Sequence, residues 1–110
     1  MSFNPRDLQK MQQQMLKAQE KMAEDLANMT IEGSAGGGAV VITLSGDQQA
    51  KSVKIDPEAV DPEDVGTLED LVLTALNDAI EKALAAQQEA QQRMLASATG
   101  GLKLPPGLGF

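Results

Sequence analysis

The stretch IEGSAGGGAVVITLSGD, residues 31–47, decides the fold. Four glycines (Gly33, Gly36, Gly37 and Gly38) precede AVVITLS, whose composition is that of a strand. Two readings compete: a loop that cradles phosphate, or a bend ahead of a strand. A P-loop has a strand before its glycines, a Lys and a Ser or Thr after them, and a helix N-terminus to hold the anion. A dinucleotide-binding turn likewise uses glycines to open a helix. Here the order is reversed, with helix formers before the glycines, a strand after them and no Lys until Lys51. The stretch is therefore a bend that carries a short strand near residues 30–34 into a longer one.

The strand pattern continues downstream. Val40, Ile42 and Leu44 alternate with Val41, Thr43 and Ser45, which makes one face apolar. Ser45-Gly46-Asp47-Gln48 has the composition of a turn. In AKSVKID, residues 50–56, Val53 and Ile55 share one face, and Ser52, Lys54 and Asp56 the other. The expectation is a three-stranded antiparallel meander, covered by helices on one face and polar on the other.

Upstream, Asn4-Pro5-Arg6-Asp7 reads as a helix start: a capping side chain, Pro at the first position and a carboxylate in the first turn. Good helix formers run from there to about residue 29, a length of roughly 37 Å. Leu8, Met11, Met15, Ala18, Met22, Leu26 and Met29 follow one another at steps of three and four, a heptad-like seam. A helix longer than a small domain is wide must project in part. At about 100° per residue from Arg6, Lys10 falls near 40°, Lys17 near 20° and Lys21 near 60°. The apolar seam spans roughly 120° to 200°. The four cations thus form a narrow stripe apart from the seam. They read either as an edge for phosphate contacts, or as a solvated face with Lys17 and Lys21 paired to Glu20 and Glu24. The methionines (Met11, Met15, Met22 and Met29) read as a core or dimer seam in preference to an adaptable binding groove.

DPEAVDPEDVGTLED, residues 56–70, holds two Asp-Pro pairs, each able to cap a helical turn. Its carboxylates lack the alternation, central Gly and twelfth-position Glu of a calcium loop, so no metal is expected. Thr67-Leu68-Glu69-Asp70 resembles a capping box and predicts a second long helix from residue 68 to about 97. Its apolar face is broad as far as residue 84, then Gln and Ala dominate, and this end is expected to leave the core. Gly100-Gly101 stops the helix, so 1–99 is predicted as one domain and 100–110 as a Gly- and Pro-rich, mobile tail.

Composition narrows the function. The 110 residues contain no His, Cys, Trp or Tyr, and the net charge is −7. No nucleophile–base pair is spaced for catalysis, so no enzyme, cofactor or small-molecule substrate is expected. No charged segment leads into an apolar run near Met1, and no apolar run is long enough to span a membrane. Both phenylalanines lie near the termini (Phe3 and Phe110), so no aromatic platform for single strands is visible. The acidity is concentrated in residues 31–66, with two basic and seven acidic side chains, whereas residues 1–30 hold four of each.

A helix, EGSAGGGAV, a strand, a turn, VKIDPE, DPEDV, LEDLV, ND and a closing TGG follow one another over nearly the whole chain. In this order they resemble the YbaB/EbfC nucleoid-associated proteins of bacteria. The resemblance implies an α+β fold with a long helix, a three-stranded antiparallel sheet and a second long helix. It also implies a tweezer-shaped homodimer in the cytoplasm and nucleoid that binds duplex DNA with little sequence preference through its projecting helices. On this chain those contacts fall to Arg6, Lys10, Lys17, Lys21 and Arg93, with Leu8, Met11, Met15, Met22 and Met29 as the dimer or core seam. The alternative is a protein-interaction module that uses the Met-rich helix and does not bind DNA directly.

Overall fold

The computed structural model describes residues 4–98. The segment 100–110, set apart as a tail by its sequence, lies outside them. Helix α1 spans Pro5–Asn28. The Asn4 side chain accepts the Arg6 N–H at 3.3 Å and so caps it, as its sequence predicts. The sheet has the order β1 (Ile31–Ala35), β2 (Val40–Leu44), β3 (Ala50–Ile55), and both pairings are antiparallel. Gly36, Gly37 and Gly38 turn the chain between β1 and β2 with φ of 64°, 67° and 96°, values that L side chains rarely adopt. The glycine run is a hairpin turn and holds no helix N-terminus.

Helix α2 spans Val65–Ala98 and begins three residues before the expected start at residue 68. The cap is Asp64, not Thr67: one Asp64 carboxylate oxygen accepts the Thr67 N–H at 3.3 Å and the other its hydroxyl at 2.7 Å. The two Asp-Pro pairs behave as expected. Asp56 accepts the Glu58 N–H and opens a short 3₁₀ turn, Pro57–Ala59, and Asp61 accepts the Glu63 N–H.

The core is the contact between α2 and the first two strands. Ala75, Ala79 and Ala83 recur every fourth residue on one line of α2 and are fully buried with Val40, Ile42 and Leu44. Small side chains on that line let the helix settle onto the backbone of β1. A Cβ on Gly33 would stand 2.7 Å from the Ala79 Cα and collide with the Ala75 carbonyl oxygen and the Ala79 nitrogen. Gly33 is thus a contact glycine, distinct from the three that follow it.

Coverage of the sheet stops short of β3. Ile42 is 3% exposed and Val40 0%, whereas Val53 and Ile55, their register partners on β3, are 54% and 38% exposed. The expectation of a fully covered apolar face is corrected here: α2 lies over β1 and β2 and leaves the third strand open.

The turn after β2 joins both helices. The buried Ser45 hydroxyl donates to the Asp47 carboxylate and accepts the Gln49 N–H. The Gly46 N–H donates to the Leu26 carbonyl at 2.8 Å, near the end of α1, and the Gln87 side chain of α2 donates to the Gly46 carbonyl at 2.9 Å. Gln48 in this turn has φ of 67°. Gln48→Gly relieves a strain of about 1 kcal/mol and gives back part of it as unfolded-chain entropy. The expected net gain is about 0.5 kcal/mol, read as a higher urea midpoint at unchanged slope.

Candidate nucleic-acid interface

Among the described residues of α1, Leu26 is the one fully buried side chain, and the helix is held to the body near that end. Arg6, Lys10, Lys17 and Lys21 are all exposed along it. The ion pairs within 4 Å among the described residues are Lys82–Asp78 at 3.1 Å and Arg93–Glu89 at 3.7 Å. The alternative pairing of Lys17 and Lys21 with Glu20 and Glu24 is therefore not formed.

The last third of α2 leaves the sheet core, which ends at Ala83, as expected, but it is not free: it packs back on α1, with Ala90 buried and Met94 half-buried. Gln87 sits by the Leu26 end of α1, and Met94 shares a cleft with Ala18 and Met22, so the two helices run antiparallel here. The signal was present in the spacing, since Ala83, Gln87, Ala90 and Met94 continue one face by steps of four and three. The Gln-rich composition hid it.

This crossing creates a cleft of about 340 Å³, lined by Ala18, Lys21, Met22, Asp25 and Met29 of α1 and Ala90, Arg93 and Met94 of α2. It brings together two of the candidate cations, Lys21 and Arg93, from separate helices. Met22 and Met29 are half-buried in it, whereas Leu8, Met11 and Met15 are at least half exposed farther along α1. Within one chain the outer part of the seam has no core to join.

Lys82, a cation that sequence reasoning left without a role, is structural. Its ammonium donates to the Glu32 carbonyl at 3.2 Å and to the Asp78 carboxylate, which also accepts the Ser34 N–H at 3.0 Å. Hydrogen bonding from the Ser34 N–H, followed by that from Lys82, holds the Asp78 carboxyl below the usual carboxylate range. A depressed carboxyl stabilises the fold above its unfolded pKa and loses that contribution as pH falls through the folded value. Urea melts between pH 3 and 7 are expected to show Asp78→Asn less stable at pH 7, and less sensitive to acid below about pH 4, than the parent. Equal acid sensitivity in the two proteins counts against the assignment.

Among the described residues, no group of three His, Cys, Asp or Glu side chains is placed to hold a metal ion, and no helix is long and apolar enough to cross a membrane. Residues 3–102 match the model of the YbaB/EbfC DNA-binding family. A nucleoid-associated protein of Roseiflexus castenholzii is 45% identical over 94% of this chain and 98% of its own length. One from Chloroflexus aggregans is 49% identical over 92% and 97%. The crystal structure of an uncharacterised Helicobacter pylori protein, HP0035, superposes with a TM-score of 0.75 over 86% of this chain and 99% of that one, at 20% identity, and so shares the fold.

Proposed function

The chain belongs to the YbaB/EbfC DNA-binding family, and we propose that it binds duplex DNA as a homodimer, chiefly through phosphate contacts from the α1 stripe. It is a nucleoid-associated DNA-binding protein, of a family that binds and does not catalyse. Arg6, Lys10, Lys17 and Lys21 supply the stripe, and Arg93 joins it at Lys21 across the α1–α2 cleft. The observation that carries this reading is the set of four exposed cations on one side of a projecting helix, none in an ion pair among the described residues. A net charge of −7 opposes the approach of DNA over the molecule as a whole. Two copies present two stripes and raise the local density of cations where the arms meet the duplex. Contacts of this kind position without reading bases, so sequence preference is low. Occupancy along the chromosome then organises the nucleoid and alters the expression of nearby genes.

The test is binding to a labelled duplex and to a scrambled one across a salt series. Log affinity should fall with log salt at about −0.9 per phosphate contact, with matching curves for the two duplexes. Absence of binding at low salt overturns the reading.

A second reading is supported by the exposed Leu8, Met11 and Met15: α1 docks on another protein and DNA is not a direct partner. It expects no salt-dependent duplex binding, and a loss of partner capture when Met11 and Met15 become Lys.

A further inference from the structure

We propose that the three methionines of the α1–α2 cleft are a reversible modification site: hydrogen peroxide oxidises them to sulfoxides, and the joint that holds α1 to the body opens. The chain has six methionines and no Cys, His, Trp or Tyr, so a peroxide finds thioethers and no other ready target. The five described methionines all lie on one face of α1 or against it. Met11, Met15, Met22 and Met29 fall between about 140° and 180° from Arg6, and Met94 meets that face from α2. Met11 and Met15 are 56% and 50% exposed, whereas Met22, Met29 and Met94 are half-buried in the cleft. Its volume of about 340 Å³ admits hydrogen peroxide, a molecule little larger than water, whose share of the liquid is ~30 Å³. The thioether sulfur attacks one peroxide oxygen, and an S–O bond forms as the O–O bond breaks. Two electrons pass from sulfur to the peroxide, whose other oxygen leaves with both protons as water.

The joint is thin, so these side chains matter to it. Among the described residues Leu26 is the one fully buried side chain of α1, and the Gly46 N–H bonds its carbonyl at 2.8 Å. The rest of the grip is the cleft, where Met22 and Met29 face Ala90 and Met94. Met29 also rests beside the turn. A Cβ on Gly46 would stand 3.1 Å from the Met29 sulfur and 2.9 Å from the Leu26 carbonyl oxygen. The sulfur is therefore set against the same glycine whose N–H holds Leu26. An oxygen added to that sulfur has two places to go. Toward Gly46 a single carbon is already too close. Into the cleft it meets Ala18, Met22, Ala90 and Met94, and burying an acceptor without a donor is unfavourable. The cationic donors of the cleft, Lys21 and Arg93, are both exposed. Reaching them or water draws the side chain outward and removes its apolar contacts from the joint. Sulfoxides at Met22 and Met94 act in the same way from the two walls, since oxidation turns a flexible apolar group into a polar one. Lys21 and Arg93 belong to opposite walls and part as the joint opens.

The experiment treats the full chain with hydrogen peroxide, follows each methionine by peptide mass mapping, and reads α1 by amide hydrogen exchange. Two variants are treated beside it. One carries Met22→Leu, Met29→Leu and Met94→Leu, and the other Met11→Leu and Met15→Leu. Leucine is close to methionine in volume and has no sulfur to oxidise, so both variants are expected to fold. Met11 and Met15 should oxidise first, with little change in exchange. Exchange over residues 18–28 should then rise about tenfold in step with sulfoxide at Met22, Met29 and Met94, while the strands stay protected. The Met11 and Met15 variant should respond as the parent does, and the cleft variant should keep its protection. Reductases for both sulfoxide epimers should restore protection in the oxidised parent. The proposal is overturned if the cleft methionines stay reduced while Met11 and Met15 are oxidised, or if exchange tracks Met11 and Met15 instead. Exchange that is unchanged once the cleft is oxidised, or that reduction does not reverse, also overturns it. If the cleft variant misfolds, the time course of the parent decides.

Discussion

Gly33→Ala is expected to lose about 3 kcal/mol of stability or more, enough to lower the melting temperature by at least ~12 °C or prevent folding. One methyl group does this because the atoms it meets are backbone. The Ala75 carbonyl and the Ala79 nitrogen and Cα belong to the middle of α2, where no rotamer change clears the way. To admit the methyl, the whole helix must lift from β1. That opens the Ala75–Ala79–Ala83 line and stretches the bonds from Asp78 and Lys82 to the strand edge. The steric account also forbids a rescue. Ala79→Gly removes a side chain but leaves the obstructing backbone in place, so the double variant should be no more stable than Gly33→Ala alone. Recovery in the double variant, or a melting temperature for Gly33→Ala within a few degrees of the parent, refutes a backbone-to-backbone contact.

Lys10→Glu with Lys17→Glu is the second large effect, on affinity with the fold left intact. Both side chains are exposed and unpaired on α1 among the described residues, so stability should change by less than about 0.5 kcal/mol. Each reversal removes one phosphate contact and adds one repulsion. In a dimer four contacts are lost, and the salt slope should shrink by about 3.6 units at −0.9 per contact. At low salt the affinity should fall more than about a hundredfold, equally for native and scrambled duplexes, because phosphates look alike in every sequence. Reversing Glu20 and Glu24 to Lys should act in the opposite direction and steepen the salt dependence. Unchanged affinity in the first variant removes α1 as the binding element.

Much of this architecture is legible in the residues, and the failures share a cause. The Asn4-Pro5 start, the glycine hairpin, the alternating strands and the Asp-Pro turns are local, and local chemistry determines them. The stripe on α1 is also local, since helical geometry alone places Lys10, Lys17 and Lys21 beside Arg6. The late start expected of α2 comes from taking Thr67 in place of Asp64 as the cap, although both are capping residues of ordinary type. By sequence Gly33 belongs with Gly36, Gly37 and Gly38, but its role depends on a helix more than forty residues away. The spacing of Ala75, Ala79 and Ala83 carried the matching half of that message. Alternation in β3 showed which side Val53 and Ile55 face, but alternation cannot say whether a layer lies over them. The meeting of Lys21 and Arg93 likewise depends on how α1 crosses α2. No single segment encodes that crossing.

Helix α1 is a lever held over its C-terminal half. The Gly46 N–H grips the Leu26 carbonyl, α2 lies against the helix as far out as Ala18, and Arg6 stands twelve residues beyond that contact. At 1.5 Å per residue that reach is about 18 Å. A swing of about 12° carries the tip roughly 4 Å, farther than the 3.4 Å of helix axis that separates successive phosphates of one strand. The gauge of the instrument is therefore set far from Arg6 and Lys10, the charges at its tip. Side chains around residues 45–49 act as its adjusting screw: small changes there alter which backbone positions the tip can reach, while every cation on the arm stays the same.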